Sequence, residues 1–289
     1  MKKIIIAASM LAVAFTSNAQ DATTTTSSAE PIKSKRGYAI LPEAGDYALS
    51  ATATPLVNYM GNLLSNAGNN TATNPFNSFV ITGKKFIDAN TAYRVMVGIN
   101  LTSNSKTNLV NDDLNTTTEI KTVEDKRSIS NSAVTLGAGL EKRRGTSRLQ
   151  GVYGAMARIT LGNINGAGSS KFTYGNAFSA ANGSPTHTTN FDNGNTSSIA
   201  TSRVLSTKGG FAFGVAVLGF VGVEYFFAPK ISIGAEYQWG PSFNLQGKGA
   251  TETETFDGTV VKTVTTETGG NSSFGLGTGN VGLNLNLHF

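Results

Sequence analysis

Residues 221–240 read VGVEYFFAPKISIGAEYQWG, and one small frame repeats inside them: Gly222-Val-Glu224-Tyr225 and Gly234-Ala-Glu236-Tyr237. The stretch is strongly apolar, yet it carries two carboxylates. A buried, unpaired carboxylate costs several kcal/mol, so each glutamate must face water or partners. Alternation decides which. Before Pro229, Val221, Val223, Tyr225 and Phe227 alternate with Gly222 and Glu224. After it, Ile231, Ile233, Ala235, Tyr237 and Trp239 alternate with Ser232, Gly234, Glu236 and Gln238. Period two means strand, so the stretch predicts a hairpin with one apolar face and one face holding both glutamates. Pairing centred on Pro229 sets Glu224 opposite Gly234 and Glu236 opposite Gly222, which leaves room for each long side chain. A two-residue turn would put the two faces out of step; the reading therefore demands an odd-length connection.

The same rhythm recurs along the chain. Tyr93, Val95, Val97, Ile99 and Leu101 alternate with Arg94, Met96, Gly98, Asn100 and Thr102, and Val281, Leu283, Leu285, Leu287 and Phe289 alternate with Gly282, Asn284, Asn286 and His288. Eight such segments are predicted: 45–59, 77–87, 91–103, 129–142, 148–165, 206–227, 231–245 and 271–289. Each has the ~9–11 residues that a tilted strand needs to cross a bilayer. The connections alternate between short (88–90, 143–146, 228–230) and long (60–76, 104–128, 166–205, 246–270), and the long ones are rich in Thr, Ser, Asn and Gly. That pattern predicts an all-β fold: an eight-stranded antiparallel transmembrane β-barrel with short periplasmic turns, long extracellular loops and both termini periplasmic. Closure is expected because an open sheet in lipid would leave edge N–H and C=O groups unpaired. A secreted β-sandwich would also alternate. The Gly, Asn, Thr, Arg and Glu of the second face and the four long connections argue against it.

The first residues, MKKIIIAASMLAVAFTSNAQ, carry the features of a secretory signal peptide: Lys2 and Lys3, an apolar run from Ile4 to Phe15, and Ser17-Asn18-Ala19 before a cut. The run is shorter than a membrane anchor requires. The expected organisation is 1–19 signal peptide, 20–44 a partly flexible periplasmic segment, and 45–289 the barrel. The chain has no cysteine, which excludes disulfides, thiolate metal sites and a lipidated cysteine. Its charge of +5, two units of it from Lys2 and Lys3, is too small to point to nucleic acid. Lys33, Lys35, Arg36, Lys142, Arg143, Arg144 and Arg148 are expected to make the periplasmic rim basic, suited to lipid headgroups or an acidic periplasmic partner.

Carried through the other strands, the face assignment places Lys84, Arg94, Arg148 and Arg158 inside with Glu141, Glu224 and Glu236. Lys84 is inward if the second strand pairs around Ala89, and a turn centred on Arg144-Gly145 sets Glu141 opposite Arg148. Opposite charges repay desolvation only when closely paired and hydrogen-bonded, so the cluster is expected to plug the interior and fix its register; a charged pore constriction is the alternative. Other candidates are weak. His187 is expected on a solvated loop and His288 inside the barrel, too far apart to share a metal. Asn111-Asp112-Asp113 lacks the EF-hand spacing. Gly275-Leu-Gly277-Thr-Gly279 falls in a strand pattern with no helix after it. No catalytic constellation, metal site or cofactor is expected.

In its signal peptide, period-two strands, alternating short and long connections and terminal Phe289, the chain resembles the small eight-stranded outer-membrane barrels of the OmpA and OmpX type of Gram-negative bacteria, over residues 45–289. The resemblance implies an outer-membrane location in contact with lipid and lipopolysaccharide. It also implies that Phe289, after Leu283, Leu285 and Leu287, is the signal read by the barrel-assembly machinery. No OmpA-like peptidoglycan-binding domain is expected. The expected function is non-enzymatic: a structural or interaction role through the loops or with another outer-membrane or periplasmic protein, the alternative being a narrow porin-like channel for small solutes.

Overall fold

The computed structural model describes residues 32–52, 78–163, 168–277 and 281–289. The predicted signal peptide, the Thr/Ser run before Pro31, residues 53–59 of the first predicted strand and the predicted loop 60–76 lie outside the described residues. The described residues are all-β and antiparallel. Its strands are β1 (Tyr47–Thr52), β2 (Ser78–Asp88), β3 (Thr91–Asn111), β4 (Thr122–Arg144), β5 (Leu149–Gly162), β6 (Ser169–Thr173), β7 (His187–Asn190), β8 (Asn195–Ser197), β9 (Ser202–Lys208), β10 (Ala212–Ala228), β11 (Ile231–Gln246), β12 (Gly249–Phe256), β13 (Val261–Thr268), β14 (Asn271–Gly277) and β15 (Val281–His288). Fifteen strands among the described residues replace the eight expected.

Eight of them close on themselves. Each strand of the series β1, β2, β3, β4, β5, β10, β11 and β15 pairs with the next, and β15 pairs back onto β1. Tyr47 and Phe289 complete the seam with reciprocal backbone hydrogen bonds of 2.8 and 2.9 Å. Among the described residues each of the eight ring strands is paired on both sides, so the paired backbone donors and acceptors are satisfied in the round.

The hairpins at the lower end, where connections are short, meet the parity demand in an unexpected way. Between β10 and β11 the turn is the two residues Pro229-Lys230, with Lys230 at φ 61°. A register shift between Phe226 and Ala228 then restores the even pairing, and Glu224 faces Gly234 while Gly222 faces Glu236. The β2–β3 hairpin repeats the device: a shift between Phe86 and Asp88 lets Lys84 face Arg94. A bulge adds one residue to one strand, so a tight turn and a correct face assignment coexist.

The burial pattern of the ring is inverted relative to a water-soluble sheet. Val223 is 50% exposed and Glu224 beside it 2%. Val95, Val97, Leu136, Ile159, Val221 and Leu285 are exposed on the outside, and Lys84, Arg94, Glu141 and Glu236 are buried inside with Phe86, Phe220 and Phe226.

The upper end holds the main departure from expectation. The regions expected as long loops 104–128, 166–205 and 246–270 contain strands. β3 and β4 remain paired up to Asn111 and Thr122. The upper part of β4 pairs with β6, β6 with β9, β9 with β12 and β12 with β13, giving an outer sheet above the ring. The predicted strand 206–227 is divided into β9 and β10 at Gly209-Gly210-Phe211, and 271–289 into β14 and β15, both paired with β11. The outer sheet has its own packing. Arg203 lies between the rings of Tyr174 and Phe178, at 4.5 and 4.6 Å, pairs with Glu254 at 3.0 Å and donates to Asn176 O. Phe172 packs on Tyr174 and Phe191, and Phe178 on Phe256. Buried Asp125 accepts from the backbone N–H groups of Gly175 and Thr188. Burial pushes the Tyr174 phenol up to about 12, against the lowering pull of Arg203 and with Asp125 and Glu254 adding to the rise. The protonated hydroxyl donates to Val204 O at 2.9 Å. His187, expected on a solvated loop, is buried edge-on against Tyr174.

Beneath the ring, residues 32–46 form a small turn closed by a Lys33–Ala39 bridge. Ile40 is buried and its carbonyl accepts from Lys230 N, while Lys230 Nζ is bound to Asp46. This part of the predicted flexible segment is tied to the lower rim.

Candidate functional site

Inside the lower half of the ring, three cations and three carboxylates form one network. Lys84 reaches Glu141 at 2.9 Å and Glu224 at 3.7 Å. Arg94 reaches Glu236 at 2.8 Å and Glu141 at 3.6 Å. Arg143 pairs with Glu141 at 3.2 Å and directly with Glu224. Polar neighbours complete the carboxylates' hydrogen bonds. His288 Nε2–H donates to Glu224 at 3.0 Å, which fixes its tautomer because an ionised carboxylate only accepts. Ser232 donates to the same Glu224 oxygen, Asn286 donates to Ser232, and Gln238 donates to Glu236 at 2.7 Å. Ser50 bonds Asn286. Every ring strand except β5 supplies a member.

Aromatic rings occupy the space between charges. The Arg143 guanidinium lies 5.3 Å from the Phe86 ring centre and 5.6 Å from that of Phe226; Arg94 lies 4.3 Å from Phe220. A planar guanidinium stacks on a ring face while its edge binds carboxylate, and both arginines use the two modes together.

Glycine makes the room. Glu224 faces Gly234, Glu236 faces Gly222, Glu141 faces Gly154 and Arg94 faces Gly139. At Gly154 an added Cβ would overlap the Leu140 carbonyl and come within 2.7 Å of the Phe220 ring. The small residues are thus part of the charge site.

Of the residues predicted from sequence, Lys84, Arg94, Glu141, Glu224 and Glu236 meet. Two do not. Arg148 is corrected: Glu141 faces Gly154 because the connection, Gly145–Arg148, lies further along the chain than expected, and Arg148 binds the carbonyls of Phe226 and Phe227 at the lower rim. Arg158 points into the ring interior above the network and pairs with none of its carboxylates. Arg143, assigned by sequence to the turn and to the basic rim, is 2% exposed and central to the network. The same parity that places Glu141 inside, continued by two residues, points to it.

Above the network the interior opens into a cavity of about 410 Å³. Arg94 and Glu236 contribute to it from below, and Arg158, Thr135, Thr160, Asn100, Gln238 and Asn284 line its walls. The other sequence candidates take structural roles. Asp113 accepts from Thr186 N and Asn182 Nδ2, Asp112 from Leu114 N, and Gly275 and Gly277 lie on β14. Among the described residues no group of three or more His, Asp or Glu side chains is placed to hold a metal. No protein-family model matches the chain, and no curated protein sequence matches it.

Proposed function

We propose that the protein is an eight-stranded outer-membrane β-barrel whose interior is closed by a charged plug, and that it acts without catalysis by presenting the outer sheet to the cell's surroundings or to another membrane protein. The observation that carries this reading is the inverted burial of the ring. An outward band of exposed Val, Leu, Ile and aromatic side chains surrounds buried, paired charge, the arrangement a lipid-solvated barrel requires. On β11 the outward residues run from Ile233 to Leu245. About twelve residue steps at ~3.3 Å and a tilt of ~45° give roughly 28 Å of height, close to the apolar band of such barrels. Tyr47, Tyr93, Tyr225 and Phe289 stand outward near the lower end, and Phe243 and Phe274 nearer the upper end, as interfacial aromatic girdles would.

The closed interior favours display over conduction. An eight-stranded barrel leaves a lumen just wide enough for side chains, and here six charged side chains and three phenylalanines occupy its lower half. Cysteines placed at Asn115, Asn182 and Thr255 should react with a membrane-impermeant label on intact cells, whereas those at Gly145 and Ala228 should react only after lysis. The reverse pattern sinks the topology. In planar bilayers the protein should give little steady current; a large open conductance whose selectivity changes in Glu236→Gln would favour the channel instead.

A further inference from the structure

The interior charges do not balance, and the imbalance is localised. Within the network Lys84, Arg94 and Arg143 are matched by Glu141, Glu224 and Glu236. Higher on the same faces of β3 and β4, Lys106 and Arg127 pair with Asp192, and among the described residues Arg158 is the inward cation of the ring strands left without a carboxylate. It stands higher on β5, opposite Gly137 on one side and Ala216 on the other, half-buried in the cavity wall. No described residue pairs with it. Outside the described residues, segments 53–77, 164–167 and 278–280 contain no Asp or Glu, and the acids there are Asp21 and Glu30, both before the ring in sequence. The nearest acid in the cavity lining is Glu236, already bound by Arg94 and Gln238.

A guanidinium withdrawn from bulk water keeps five N–H donors in a planar fork that matches an oxyanion. Around it, Thr135, Thr160, Asn100, Gln238 and Asn284 offer neutral hydroxyl and amide groups that both donate and accept. The volume of about 410 Å³ lies within the usual range for small-molecule sites. We infer that this upper cavity binds a small polyhydroxylated oxyanion, a sugar acid or sugar phosphate, with Arg158 holding the carboxylate or phosphate and the neutral side chains holding the hydroxyls. The Arg94–Glu236 pair below closes the site, so the ligand is retained and does not pass through. The inference rests on the plugged-barrel reading only for the side from which ligand enters; the binding itself is a property of the ring.

The test is calorimetric titration of the detergent-solubilised full chain with glucuronate, glucose 6-phosphate and glucose. The expected result is binding of both anions, at least tenfold weaker or undetectable binding of glucose, and at least tenfold weaker anion binding by Arg158→Gln, with Arg158→Lys in between. Arg158 lies outside the network, so Arg158→Gln should melt with the wild type. Asn284→Asp keeps Arg158 and adds a competing carboxylate to the cavity; it should weaken both anions in the same direction. Equal anion binding by wild type and Arg158→Gln overturns the site, as does glucose binding as well as glucuronate, or no anion binding at millimolar concentration. Outward labelling of Gly145 would refute the topology while leaving these titrations unchanged, so the two failures are distinguishable.

Discussion

Neutralising Glu224 is the sharpest perturbation of the interior. Its carboxylate meets Lys84 at 3.7 Å, Arg143 directly and His288 at 3.0 Å. At an effective dielectric of about 20, one unit pair at 3.7 Å is worth ~4.5 kcal/mol. Part of the loss of two such pairs is offset because Glu224 no longer has to be desolvated. What remains is one uncompensated buried cation, for which about 3–5 kcal/mol is the expected cost. Glu224→Gln should therefore lower unfolding free energy by that amount in urea titrations of the folded protein in detergent. The chain has a single tryptophan, the outward Trp239, whose fluorescence reports the transition. Arg143→Met alone should be similarly costly. The double variant restores charge balance, with Lys84 and Arg94 against Glu141 and Glu236, so its cost should fall short of the sum by ~2 kcal/mol or more. Additivity within ~0.5 kcal/mol, or a Glu224→Gln protein as stable as wild type, would refute the reasoning. Val223→Ile, on the outer face, should change stability by less than ~0.5 kcal/mol.

Three further outcomes are expected. Arg203→Ala removes a guanidinium held between two rings and a buried partner of Glu254; at roughly 3 kcal/mol it should open the outer sheet to limited proteolysis while the urea midpoint reported by Trp239 stays put. Deleting Phe289 removes the backbone pair with Tyr47 and an exposed ring, and it should reduce outer-membrane yield in cells more than it reduces stability of protein refolded in detergent; normal yield would count against an assembly signal. Partial burial opposes ionisation of Asp113, yet hydrogen bonds from Thr186 and Asn182 hold its carboxyl below the ordinary value of 3.8. Its contribution is present above the unfolded pKa and lost as pH falls through the lower folded one, so amide exchange at Thr186 should accelerate only in acid below about pH 4; acceleration at neutral pH would contradict this.

The ring was legible because its strands have unlike faces. Val221 to Phe227 and Ile231 to Trp239 announce two faces by period two, and parity alone then set Glu224 opposite Gly234. The site was legible as far as parity could be carried. It failed at Arg143 and Arg148 because the position of a turn is not written in hydropathy: placing its centre three residues early moved one arginine out of the network and another in. The outer sheet was not legible for a different reason. The TETETF of β12 and the VKTVTTET of β13 do alternate, but between polar side chains, and a strand with polar residues on both faces gives no apolar rhythm. What holds β12 is lateral pairing with β9 and the packing around Arg203, both made by residues distant in sequence, and β13 is held by its pairing with β12.

β4 serves two neighbours along the same edge. Between Ala133 and Arg144 it is bonded to β5; between Lys126 and Ser130 it is bonded to β6. Only Asn131 and Ser132 separate the two sets. The changeover confines the two assemblies to different stretches of one strand, so mutations above it are free of the demands made below it. Lineages could remodel the outer sheet, exchanging or lengthening β6, β9, β12 and β13, while the ring below is conserved. For an engineer the same boundary is a graft point: a foreign β-rich binding module spliced above Asn131 would inherit a ready-made stem, anchored by a strand that does not end where the host ends.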